Sequence, residues 1–95
     1  LFGPVASILR VKDDAEAVRV ANDTTFGLGG SVWTKDVERG NRIARQLQVG
    51  AAFVNAIVRS DVRLPFGGTK RSGFGRELAE HGIHEFMNIK SVYIA

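Results

Sequence analysis

Residues 65–77 read Pro-Phe-Gly-Gly-Thr-Lys-Arg-Ser-Gly-Phe-Gly-Arg-Glu, and no other run in the chain restricts its fold as strongly. The thirteen positions hold four glycines, three cations and two phenylalanines. Glycine weakens helix and strand interiors, permits positive φ and lets another backbone or a ligand come close. A segment that had only to turn would not need this combination. It sits in an irregular stretch from Asn55 to Arg76, 22 residues long. That is too long for a plain connection in a compact domain, so the stretch is expected to be functional.

The flanking sequence alternates. Val5 to Val11 is aliphatic and β-branched, which predicts a buried strand. Asp13 and Glu16 have the spacing of a helix start with a reciprocal cap, and Ala17, Val18 and Ala21 share the face that follows. Phe26 to Gly30 breaks that pattern, and Ser31-Val32-Trp33 predicts a second strand. Asp36 is the next helix cap; Val37, Gly40, Ile43, Ala44 and Leu47 recur at helical spacing. Gly50 is expected to end that helix in a left-handed conformation. Ala51 to Val54 is small and apolar on both faces, as in a covered parallel strand. Leu78, Gly82, Ile83 and Phe86 predict a third helix, and Ser91 to Ala95 a last strand. This order predicts an α/β fold with parallel neighbours. A short terminal strand is an open edge, so it is expected to pair with another chain.

Composition removes several function classes. The chain has no cysteine, which excludes disulfides and thiolate metal sites, and is compatible with a cytoplasmic setting. No apolar run approaches the roughly 20 residues of a membrane helix, so no membrane partner is expected. The net charge is +3, with Arg59, Arg63, Lys70, Arg71 and Arg76 close together. These cations could attract anions, but no recognition element accompanies them, and nucleic acid is not expected as a partner. Leu1 is not an initiator and Met87 is the only methionine, so the chain is expected to be part of a longer polypeptide.

Nucleotide-binding loops of the standard kinds are not complete. Gly68 and Gly73 have phosphate-loop spacing, but Phe74 and Gly75 replace the lysine and hydroxyl. Gly73 and Gly75 begin a dinucleotide fingerprint, but Leu78 stands at the third glycine. His81 and His84 share a helical face without a third ligand, and no metal is expected. Ser60, His81 and Asp61 lack any nucleophile elbow. Asn55 has two readings: a ligand contact at the C-terminal end of a strand, or a side chain that turns its own backbone. Ser60, beside Arg59, could help hold a carboxylate through charge-assisted hydrogen bonds, or simply turn the loop.

Four blocks in order are similar to the aldehyde dehydrogenase family: Phe2-Gly3-Pro4-Val5, Asn22 to Leu28, Gly50 to Asn55, and Pro65 to Glu77, whose last block matches the family signature at every fixed position. The resemblance covers essentially the whole chain. Ser60-Asp61-Val62-Arg63-Leu64 is similar to the bacterial succinate-semialdehyde group. It implies a partial catalytic domain over residues 1–90 and an oligomerisation strand over 91–95, in a homo-oligomer. It implies oxidation of an aldehyde to the acid, with NAD or NADP as cofactor. It implies that Ser60 helps hold a substrate carboxylate, that Phe66 lines the aldehyde pocket and that Phe2 contacts the nicotinamide. The family attacks its substrate with a cysteine thiolate, and this chain has none. Taken alone, it is expected to be inactive, with no catalytic residue of its own. The rival expectation is a truncated, non-catalytic assembly or binding module.

Overall fold

The computed structural model describes residues 3–95. Helix α1 spans Asp14–Asn22. Strands β1 (Phe26–Gly27) and β2 (Gly29–Val32) follow, then helix α2 (Val37–Ala44) and strand β3 (Ala51–Val54). Strand β4 is Thr69–Lys70 and helix α3 is Ala79–His84. Strands β2 and β3 run parallel, in register from Gly29 opposite Ala51 to Val32 opposite Val54. Helix α2 is their crossover, which is the expected β-α-β unit. Strands β1 and β4 pair antiparallel, Phe26 with Lys70 and Gly27 with Thr69.

Both expected caps form. The Asp13 carboxylate accepts from the Glu16 amide at 2.8 Å, and Asp36 accepts from the Arg39 amide at 2.9 Å. Each satisfies a donor that the first helical turn leaves free. The Glu16 side chain reaches back one residue beyond the cap, to the Lys12 amide at 2.9 Å. Arg39 on α2 grips the Asp14 carboxylate with two donors, one at 2.8 Å, and joins the two helix starts. This hydrogen-bonded guanidinium holds the Asp14 carboxyl below the usual carboxylate range.

Helix α2 meets β3 through Gly40 and Ala44, both buried. A methyl group at Gly40 would stand 2.7 Å from Val54 Cγ1, so the close approach requires glycine there. Ile43 and Leu47 face Ala17, Val18 and Ala21 of α1 across β2, around a cavity of about 280 Å³. Val37, expected on the same face, is 62% exposed.

Two expectations change. No strand forms over residues 5–11; Ile8 is 95% exposed, because a strand apolar on both faces needs neighbours on both sides. Gly50 is not a left-handed helix end. Helix α2 closes on Arg45 and a turn in which the Gln46 and Leu47 amides donate to Ile43 and Ala44, so the chain no longer needs a left-handed stop at residue 50. Residues 91–95, expected to pair with another chain, are exposed and form no ladder within this one.

The molecule is extended, at 63 × 33 × 26 Å with a radius of gyration of 17.1 Å. A compact chain of this length would have about 12 Å. Its accessible surface is 8232 Å². A compact monomer of this mass exposes roughly 5,400 Å². Ala44 is the one buried hydrophobic residue among those described. No helix of the described residues is long and apolar enough to cross a membrane.

Candidate functional site

The long irregular stretch has a defined internal structure. Asn55 takes a left-handed conformation, φ 54°, directly after β3. Its side chain accepts from the Thr34 amide and donates to the Thr34 carbonyl, both at 2.9 Å. Asn55 therefore ties the ends of the two parallel strands together, which is the turn-and-cap reading. Asp61 next accepts three hydrogen bonds from Arg63: from its amide at 3.0 Å, Nε at 2.9 Å and Nη2 at 2.7 Å. Phe66 and Glu77 exchange backbone bonds at 2.8 Å in each direction, closing the glycine-rich run into a paired loop.

Within that loop the polar side chains are turned onto backbone. Lys70 Nζ donates to the carbonyls of Asn22 at 2.8 Å and Thr24 at 3.0 Å, and so ties the loop to the end of α1 and the turn after it. Thr69 Oγ1 donates to Gly27 and Gln48, and Ser72 Oγ accepts from the Gly27 amide at 2.9 Å. Arg76 Nη1 donates to the carbonyls of Gly68 at 2.8 Å and Gly75 at 2.7 Å. Arg71 stands 6.0 Å from the centre of the Phe26 ring. The run is a clasp across α1, β1 and the approach to β3. Its cations are mostly committed to carbonyl oxygens, so they do not form an open anion-attracting surface.

The clasp sets Phe66 between two cavities. One, of about 440 Å³, opens among Leu28, Phe74, Arg76, Glu85 and Phe86. The other, of about 260 Å³, lies between β3 and the loop, lined by Ala52, Phe53, Arg59, Asp61, Leu64 and Phe66. Ser60 is exposed and lies outside this lining, although both its neighbours are in it. Phe2 lies outside the described residues. His84 Nε2 is 3.7 Å from Glu80, an ordinary helical pair, and no three metal-binding side chains come together among the described residues.

The sequence pairs Arg59 with Ser60 as a candidate donor to a carboxylate, and the structure adds Asp61 to the same cavity lining as Arg59. The available signal was the Arg-Ser-Asp-Val-Arg run, in which one acid stands between two bases. The Arg63 side-chain hydrogen bonds, first of all, hold the Asp61 carboxyl far below the usual carboxylate range. Because the folded value is depressed, this contact favours the folded loop above the ordinary carboxylate pKa and is lost only as pH falls through the lowered value. Asp61 is therefore expected to stay ionised at pH 4. A carbon-13 titration of its carboxyl checks this, and a midpoint at the ordinary aspartate value would show that the clamp does not persist in solution.

The comparisons with known proteins agree with one another. The Aldehyde dehydrogenase family matches residues 1–92. Succinate-semialdehyde dehydrogenase (NADP(+)) 1 of Mycobacterium tuberculosis H37Rv is 53% identical over 95 residues, which is 100% of this chain and 21% of that protein. A probable succinate-semialdehyde dehydrogenase (NADP(+)) of a Synechocystis strain is 52% identical over 94 residues, 99% of this chain and 21% of the relative. The chain thus spans about a fifth of the length of the relatives it matches. Among solved structures, a salicylaldehyde dehydrogenase from Pseudomonas putida G7 complexed with salicylaldehyde superposes with a TM-score of 0.88 at 37% identity, covering 94% of this chain and 19% of that one. A betaine aldehyde dehydrogenase from Staphylococcus aureus in complex with NAD+ gives 0.85 at 37% identity, covering 88% and 17%. The expected α/β fold, part of a larger catalytic domain, is the fold these structures share with it. Matched by its family model over almost its whole length, the chain belongs to the aldehyde dehydrogenase family.

Proposed function

We propose that the chain forms the substrate-side wall of an NAD(P)+-dependent aldehyde dehydrogenase that oxidises a short ω-carboxy aldehyde, succinate semialdehyde foremost, to the diacid. The observation that carries this reading is the 52–53% identity to succinate-semialdehyde dehydrogenases along the full chain, pocket loop included. The relatives are named for NADP(+), which favours NADP+ over NAD+ here.

When bound, the dinucleotide supplies the hydride acceptor. The chain's own residues have a binding role. Phe66 and Phe53 offer an apolar wall for the short hydrocarbon. Ser60, on the adjoining exposed loop, offers a hydroxyl donor to the distal carboxylate. The chain holds no cysteine, so the thiolate that attacks the carbonyl comes from another segment. Residues 1–90 are the catalytic-domain part in this reading. Residues 91–95 add a strand to a neighbouring subunit of a homo-oligomer, where their exposed apolar side chains find cover.

Ser60→Ala in the full enzyme tests the substrate. It is expected to raise KM for succinate semialdehyde by roughly fivefold to tenfold, the effect of losing one hydrogen bond that contributes about 1–1.4 kcal/mol. KM for butanal, which has the same chain length without the acid, is expected to move much less. Equal shifts for the two aldehydes would remove the carboxylate role.

A further inference from the structure

Asn22, the last residue of helix α1, lines neither of the cavities beside Phe66, yet two routes join it to the segment that carries that ring. Its side-chain nitrogen donates to the Gln46 carbonyl at 2.9 Å, and its side-chain oxygen accepts from the Gln48 amide at 2.8 Å. An asparagine offers a donor and an acceptor on one short arm, so it pairs with these two backbone groups much as a neighbouring strand would. The Gln48 carbonyl in turn accepts from the Thr69 hydroxyl at 3.2 Å, whose hydrogen is shared with the Gly27 carbonyl at 3.3 Å. Residue 48 is thus gripped at its amide by α1 and at its carbonyl by the glycine-rich loop. The second route is direct: the Asn22 main-chain carbonyl accepts from Lys70 Nζ at 2.8 Å.

The joint has no slack. A methyl group at Gly27 would overlap both Thr69 Oγ1 and the Gln48 carbonyl oxygen. Thr69 stands three residues from Phe66, with Gly68 buried between them, and the Phe66 backbone is paired with Glu77 on its other side. We propose that Asn22 is a positioning residue: by fixing Gln48, and through it Thr69, it sets where the Phe66 ring stands and how well the pocket wall meets the substrate, a role that rests on the aldehyde-oxidising reading above. Asn22 itself touches no substrate. A displaced wall weakens contact with the bound aldehyde and with its transition state alike, so the effect falls on KM and leaves kcat unchanged. A residue that only holds the fold does the reverse, because unfolded enzyme lowers the apparent kcat and leaves KM where it was.

The test uses the full enzyme with Asn22→Ala, Asn22→Asp and Thr69→Val. Asn22→Ala is expected to raise KM by about threefold to tenfold. The rise should be equal for succinate semialdehyde and butanal, because Phe66 meets the hydrocarbon that both share. Asn22→Asp keeps the acceptor for the Gln48 amide and should recover most of the KM. Thr69→Val cuts the same route from the loop side, so with Asn22→Ala it should raise KM by less than the product of the two single effects. An unchanged KM in Asn22→Ala, or a double variant whose effects multiply in full, overturns the positioning role. Should Asn22→Ala not fold, Asn22→Ser, whose shorter hydroxyl reaches at most one of the two partners, takes its place with the same expectation. Amide exchange is read on the same enzymes. The Phe66, Arg71 and Ser72 amides donate to Glu77, Thr25 and Thr69, and in Asn22→Ala they should exchange about tenfold faster while those of β2 and β3 keep their protection. If the unmutated enzyme oxidises neither aldehyde, the substrate reading fails and exchange alone judges the joint. Faster exchange confined to the loop then supports it, and unchanged exchange overturns it.

Discussion

Gly50→Ala is expected to be the most damaging single-methyl change in the chain. A Cβ at residue 50 would overlap the carbonyl oxygen of Gly67, 2.6 Å from its carbon and 3.0 Å from Gly68 Cα. These are backbone atoms, so no side-chain rotation relieves the clash. Withdrawal is blocked as well, because the Gly50 amide donates to Gly27 at 3.0 Å and the Ala51 amide to Leu28 at 3.1 Å. The clasp would have to lift away from β3, breaking bonds made by Thr69 and Lys70. A cost of about 3–5 kcal/mol is expected, at the upper end of what one substitution does. Gly73→Ala is the control. Nothing lies within 4 Å of its new methyl, but its φ is +118°, so only local backbone strain of about 1–2 kcal/mol is expected. Thermal unfolding of the two variants in the full enzyme ranks them. An equal or larger loss for Gly73→Ala would mean that the contact between Gly50 and Gly67 is not tight in solution. The Gly50 variant should also lose activity beyond its loss of folded protein, because Phe66 is carried on the displaced segment.

The second large effect is expected at Asn55. Alanine there removes two hydrogen bonds to Thr34 and places an ordinary residue at φ 54°. Each bond contributes about 0.5–1.5 kcal/mol, and the left-handed conformation costs alanine about 1–2 kcal/mol, so a loss of about 2–5 kcal/mol is expected. The contributions separate cleanly. Asn55→Gly removes both bonds but accepts the backbone angle. Asn55→Asp keeps the acceptor for the Thr34 amide and loses the donor to the Thr34 carbonyl. Stability should follow the order asparagine, aspartate, glycine, alanine. If alanine and glycine were equal, the backbone angle would contribute nothing. A selective fall in kcat with unchanged stability would instead restore Asn55 to the ligand side of the crevice.

The parts of this fold legible in sequence are those governed by local spacing. Asp13 and Asp36 mark helix starts because a short acceptor side chain reaches only amides two or three residues ahead. The parallel pairing of β2 with β3 was legible because a helix-length connection between two short apolar runs favours that topology. Strands β1 and β4 were not legible: each is two residues long, and their pairing joins positions more than forty residues apart. The Val5 to Val11 run has a strand's composition but no partner among the described residues, and composition cannot supply a ladder. Arg59 was legible beside Ser60 as a cation suited to a carboxylate, whereas the grip of Arg63 on Asp61 and the place of Phe66 between two cavities appeared only in the structure.

The amino-acid sequence by itself determined the family, the helix starts, the β2-α2-β3 unit and the place of the glycine-rich loop, because these depend on residues near one another or on a contiguous motif. Only the tertiary structure decided what that loop does with its polar groups. Lys70 meets Asn22 and Thr24, Thr69 meets Gln48, and Gly50 meets Gly67. A lysine that caps carbonyls and a lysine that binds an anion are the same letter. Which of the two it becomes is settled by the carbonyl oxygens that folding brings to 2.8 and 3.0 Å from its ammonium group.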